Sequence, residues 1–152
     1  MATQGLGYVR AAVEAVFDPI TDELVRQTRD GYRMVREHDA AFLDNIDPGV
    51  EWHVSDTLPR GGVLRGSWAV LEFMEAVDKP FEGATPDAEE FLQAGDRLIV
   101  LGTWRGTARA TGVLVEVPFA HVQQFRHGKI AYFHNYIDTA KVLQSLEEAP
   151  PG

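Results

Sequence analysis

The sequence predicts an α+β fold: helices packed on one face of a twisted antiparallel sheet whose other end curls over an apolar pocket. Three observations carry this. Residues 97–138 form three runs of alternating apolar and polar residues, joined at Thr111-Gly112 and His127-Gly128, the pattern of an antiparallel meander. Helical periodicity falls mostly ahead of those runs, giving helices, a strand, a helix, four strands and a closing helix rather than repeated βαβ units. The 152 residues fit one domain, which at this size hides roughly 68–70% of its unfolded surface.

The elements follow in order. Residues 1–20 read as an extension, with a short amphipathic helix over 8–17 that Asp18-Pro19 breaks. Thr21 caps a helix over 22–37 that puts Leu24, Val25, Thr28, Tyr32 and Val35 near one face, with Gly31 weighing against it. A shorter helix over 39–46 buries Phe42, Leu43 and Ile46, and Asp47-Pro48-Gly49 ends it. Residues 50–54 (VEWHV) make a strand and 55–66 a loop. Ser67 caps a helix over 68–77 whose Val70, Phe73, Met74 and Val77 follow helical spacing. Residues 80–86 are irregular, 88–94 form a strand, and Gly95-Asp96 turns the chain into the meander. Pro118 lies inside a long strand and cannot donate a ladder bond, so it marks an edge or a bulge. Thr139 caps a last helix over 140–147, and 148–152 form a frayed, disordered tail.

Composition excludes several functions. Without cysteine there is no disulfide, thiolate metal site or cysteine nucleophile. A net charge of −9 argues against nucleic acid as a partner, since that affinity rests on clustered Lys and Arg. No apolar run approaches the ~20 residues of a membrane span, and the N-terminus is a poor signal peptide, so a cytoplasmic protein is expected. The five histidines show no metal spacing and no glycine-rich phosphate loop is present, so neither metal nor cofactor is expected.

The chemistry candidates lie mainly on the meander. His121 is in phase with Val117, Phe119, Gln123 and Phe125; a neutral imidazole there either donates a hydrogen bond and shuttles a proton, or is a satisfied core histidine. Asn135, in phase with Phe133 and Ile137, can orient a carbonyl or a histidine tautomer but cannot take a proton. Trp52 shares a face with Val54 and reads as pocket wall or core, whereas His53 reaches the pocket only if a bulge turns it inward. Arg105 is in phase with Ile99, Leu101 and Thr103, facing either the cavity or solvent. Tyr32 reaches toward the cavity mouth from its helix. Leu98, Val100 and Trp104 share the other face of their strand and offer an apolar patch for a homodimer through the outer sheet face.

The ordered motifs VEWHV, GG-x-x-RG before a helix, GDRLIVLG, TG, FAHV-x-x-F, GKI and Y-x-DT resemble the SnoaL-like branch of the nuclear transport factor 2-like superfamily, over roughly residues 22–147. Ketosteroid isomerase, limonene epoxide hydrolase and scytalone dehydratase are related to that branch. The resemblance implies an α+β fold with a cone-like, curved antiparallel or mixed β-sheet wrapped around three to four helices and enclosing a deep apolar pocket, here spanning 21–147, and a protein that is often a dimer. It also implies site roles. His121 stands where ketosteroid isomerase polarises the substrate oxygen and SnoaL-like cyclases carry a histidine, and Asn135 stands where those cyclases carry an acid. His53 is the titratable residue near the isomerase's base position, Tyr32 corresponds to its helix tyrosine, and Arg105 to the arginine of the epoxide hydrolases. The implied function is cofactor-independent, His-assisted proton transfer on a small or polycyclic hydrophobic molecule, of isomerase, cyclase or dehydratase type. The acting residues are His121, Asn135 and His53, with Trp52, Tyr32, Thr103, Arg105, Gln123, Phe133 and Ile137 contacting substrate. The alternatives are a non-catalytic small-molecule binder of the same fold, or a dimeric interaction domain.

Overall fold

The computed structural model describes residues 17–147, so the expected helix over 8–17 and the tail over 148–152 lie outside the described residues, save for Phe17. Helix α1 (Asp22–Arg36) starts where Thr21 accepts a hydrogen bond from the Leu24 amide; Asp22 and Glu23 in its first turn and Arg33 and Arg36 in its last complement the helix dipole. A 3-10 turn (Ala40–Asn45) leads into β1 (Ile46–Val54). Then come β2 (Gly62–Arg65), α2 (Ser67–Asp78), β3 (Phe81–Ala94), β4 (Arg97–Ala108), β5 (Leu114–Arg126), β6 (Lys129–Ile137) and α3 (Thr139–Glu147).

The six strands form one sheet in the order β2-β1-β6-β5-β4-β3. The β1–β6 pair is parallel and the others are antiparallel. Register breaks between Ile46 and Glu51, between Glu82 and Thr85, between Ala88 and Glu90, and between Gln124 and Phe125. Each extra residue bends its strand and raises the local twist, so the breaks curl the sheet over the helices. The concave face and the helices bury Trp52, Leu98, Val100, Val117, Phe119, Phe125 and Phe133 together with Val70 and Phe73 of α2 and Val142 of α3.

Several expected boundaries change. Residues 46–49 belong to β1, with Asp47-Pro48-Gly49 inside its register break rather than ending a helix. Residues 62–65 are a strand, not loop, and 81–86 are the first part of β3 rather than irregular chain. Ser67 is the first residue of α2; the cap is Gly66 at φ 84°, with no side-chain cap bond. At α3 the amide of Lys141 donates to Asp138, so Asp138 is the side chain that caps that helix. Pro118 lies on an interior strand, but β5–β6 pairing begins only at Phe119, so on that side Pro118 meets a local edge.

The largest correction concerns β4. Leu98, Val100 and Trp104 are 0%, 0% and 8% exposed and face the helices, so they form no outer dimer patch. Both faces of β4 carry apolar residues, and alternation fixes which residues share a face but not which face is inside.

Candidate functional site

The concave face and the helices enclose a cavity of about 130 Å³. Tyr32 of α1, Trp52 of β1, His121 and Gln123 of β5, and Phe133, Asn135 and Ile137 of β6 all line it. The topology brings them together: β6 lies between β1 and β5, with Trp52 opposite Phe133 and His121 opposite Asn135. Trp52 and Phe133 stack with ring centroids 3.7 Å apart, making one wall. Phe119 stacks on His121 at 4.0 Å, and Tyr32 lies parallel to the imidazole at 5.8 Å.

His121 is 6% exposed, and a chain of hydrogen bonds fixes its ring. Gln123 Nε2 donates to the Tyr32 hydroxyl at 3.0 Å, and the Tyr32 hydroxyl lies 2.5 Å from His121 Nδ1. With its oxygen accepting from Gln123, the phenol gives its single proton to Nδ1. That leaves Nε2–H as the ring's donor. Burial pushes the His121 pKa down to about 3, with hydrogen bonding toward Asn135 opposing. The imidazole therefore stays neutral at physiological pH and acts as a donor rather than as an acid–base group titrating between 6 and 7. Burial pushes the Tyr32 phenol well above the ordinary tyrosine range, with Gln123 opposing, so it too stays protonated. Asn135 Oδ1, opposite His121 on β6 and close enough to oppose its pKa shift, makes no hydrogen bond of good geometry among the described residues, and Gln123 Oε1 is buried without a partner there.

Replacing Tyr32 with Phe strands His121 Nδ1 and Gln123 Nε2 in the core. Destabilisation of about 1–3 kcal/mol is expected, read from the urea midpoint, and an unchanged midpoint would show that the relay contributes nothing.

Three expected site residues lie elsewhere. His53 points to the convex face, where it bonds Glu51 at 2.9 Å and stacks on His134; the register break in β1 precedes Glu51, so it does not turn His53 inward. Thr103 and Arg105 occupy the convex face of β4. Thr103 donates to Glu89 at 2.7 Å, and Arg105 pairs with Asp87 at 2.5 Å and Glu116 at 3.5 Å. Their phase with Ile99 and Leu101 places them opposite the buried Leu98, Val100 and Trp104.

Several lining residues lie outside the site read from the sequence, and one of them carries charge. Asp78, the last residue of α2, is the single carboxylate among the described lining residues, and no lysine or arginine lines the cavity. Burial raises its pKa to about 6, with the charge of His38 opposing. The negative end of the helix dipole acts in the same upward direction. An acid at the end of an amphipathic helix reads as solvated, and only the docking of α2 against the sheet turns it toward the cavity. Among the described residues no group of three or more His, Asp or Glu side chains is placed to hold a metal ion, and no helix is long and apolar enough to cross a membrane.

A family model of the SnoaL-like domain matches residues 25–133. The chain belongs to the SnoaL-like family. Solved structures carry the same fold. An NTF2-like protein of Burkholderia thailandensis is 30% identical, with 83% of this chain and 96% of that one covered and a TM-score of 0.74. An NTF2-like protein of unknown function from Burkholderia pseudomallei is 26% identical over 84% of this SnoaL-like chain and 100% of its own, at a TM-score of 0.76. TerC, co-crystallised with polyporic acid, is 26% identical over 82% and 98% of the two chains, at 0.74. A search among curated proteins finds no match. For this SnoaL-like chain the family establishes an α+β fold related to that of polyketide cyclases and ketosteroid isomerase-like proteins.

Proposed function

We propose that this SnoaL-like protein acts, without a cofactor, on a small and largely apolar molecule whose oxygen accepts a hydrogen bond from His121 Nε2–H. The observation that carries the reading is the Gln123–Tyr32–His121 relay, which holds one neutral tautomer of a buried histidine on the cavity wall. A donor fixed in a dry site stabilises charge developing on a ligand oxygen without reorganising. This favours isomerisation, cyclisation or dehydration next to that oxygen, with His121 assisting as a donor while another group carries the proton. The volume of about 130 Å³ favours a single ring over a polycycle; an apolar cavity of ~150 Å³ takes up benzene. The co-crystallisation of TerC with polyporic acid supports a small molecule as the occupant.

Non-catalytic binding is the second reading, favoured by Asn135. Neither that amide nor the depressed His121 can accept a proton at neutral pH.

Calorimetric titration with cyclohexenone and cyclohexene separates an oxygen-directed site from a merely apolar one. The wild type is expected to bind the enone about tenfold more tightly, and His121→Ala to lose that preference. Equal preference in the two proteins would remove His121 from the site. Turnover of an enone by the wild type alone would favour the enzyme over the binder.

A further inference from the structure

The cavity has an acceptor that nothing in the described structure answers. Asp78 lines it, partly buried at the end of α2, and the only other charge it feels is that of His38, beyond the end of α1. It makes no hydrogen bond or ion pair among the described residues. Two lining residues carry further acceptors without a partner, Asn135 Oδ1 and Gln123 Oε1, but both atoms are packed into the wall rather than open to the cavity. The remaining wall is mostly aliphatic and aromatic, with Tyr32, Phe42, Trp52, Phe73 and Phe133 among its members.

A half-buried carboxylate whose only charged neighbour among the described residues is a histidine that it does not bond is costly to keep ionised, and a ligand that brings a bonded cation lowers that cost. Aromatic faces add attraction for the same charge, and the net charge of −9 favours the approach of cations over anions. We propose that the natural ligand carries a protonated amine, held by the Asp78 carboxylate, with a single ring against the aromatic walls. The inference deepens the reading above by naming a ligand class for the same cavity, but it does not depend on the role of His121.

The test uses the full chain and three ligands of one shape: benzylamine, benzyl alcohol and toluene. Calorimetric titration near neutral pH is expected to show benzylamine binding the wild type about tenfold more tightly than benzyl alcohol. Asp78→Asn is expected to abolish that preference while benzyl alcohol still binds, and Asp78→Ala to behave alike, which excludes an effect of the amide itself. Acidification through about pH 6 weakens benzylamine in the wild type as Asp78 takes a proton, and leaves benzyl alcohol unaffected. His38 is the group whose charge reaches Asp78, and Tyr32, which stays protonated, and His121 are the other titratable residues lining the cavity. His121 stays neutral over this range, and His38→Gln separates the remaining contribution. Benzylamine binding no tighter than benzyl alcohol, or an undiminished preference in the Asp78 variants, overturns the amine proposal and leaves the cavity reading standing. Failure of all three compounds to bind overturns both.

Discussion

Gly102→Ala is expected to destabilise the protein by about 3 kcal/mol, at the upper end of what overpacking usually costs. Gly102 sits in β4 between Ala88 of β3 and Phe119 of β5. A Cβ there would overlap the Asp87 carbonyl oxygen and come within 2.6 Å of Phe119 Cζ. A flexible side chain could swing away, but a paired backbone carbonyl cannot, and the Phe119 ring is already stacked on His121. The strain therefore has two outlets. β3 moves off β4 beside its register break at Ala88 and Glu90, or Phe119 moves into the imidazole that the relay holds. The first lowers the urea midpoint, and the second also weakens enone binding. Adding Phe119→Leu relieves the ring contact but not the carbonyl contact, so it should restore part of the stability. A midpoint equal to that of the wild type would mean that the strands separate more easily than this packing implies.

The meander was legible because its strands alternate cleanly. On β5 and β6 the alternation places His121, Gln123, Phe133 and Asn135 on one face, and all four line the cavity. On β4 the same rule gives the grouping but not the direction. Ile99 and Leu101 are as apolar as Leu98 and Val100, so Arg105 and Thr103 were set beside the pocket when they belong to the convex face. On β1 alternation pairs Trp52 with Val54 without choosing the inner face; the structure puts Trp52 on the cavity, and His53 lies outside because the register break falls before it.

The parts that were not legible are the sheet's two margins. β2 and β3 are the edge strands, and residues 61–66 and 80–86 hold the glycines and prolines that read as loop. An edge strand tolerates such residues because one side of its backbone needs no ladder partner. The relay was illegible for a different reason. Tyr32 and His121 are 89 residues apart, and nothing local states that a helix phenol meets a strand imidazole. Asp78 required the same long-range information.

These two buried groups set opposing dependences of stability on pH. The folded pKa of His121 is lowered from 6.5 to about 3, so from 6.5 downward the unfolded chain takes up a proton that the folded chain refuses. Stability from this group is present above 6.5 and lost as pH falls, by about 1.4 kcal/mol per pH unit down to the folded pKa. Asp78 is raised from 3.8 to about 6, so over that window the folded chain is the one that holds the extra proton. Its contribution is present below 3.8 and lost as pH rises through 6, with a slope of similar size and opposite sign. Between about pH 4 and 6 the two nearly cancel in the wild type. Asp78→Asn removes one side and is expected to leave stability falling toward acid by at most about 3 kcal/mol across those two units. His121→Gln removes the other, and stability relative to the wild type should rise toward acid by a comparable amount. Other carboxylates titrate alike in all three proteins and drop out of the differences. Urea midpoints measured along this pH range read both slopes, and curves that run parallel in the three proteins would mean that neither group titrates differently in the folded and unfolded chains. Oppositely tilted variant curves would show that each group titrates differently in the folded and unfolded chains; since both residues line one cavity, a ligand cation at Asp78 and a ligand oxygen at His121 could then belong to one molecule.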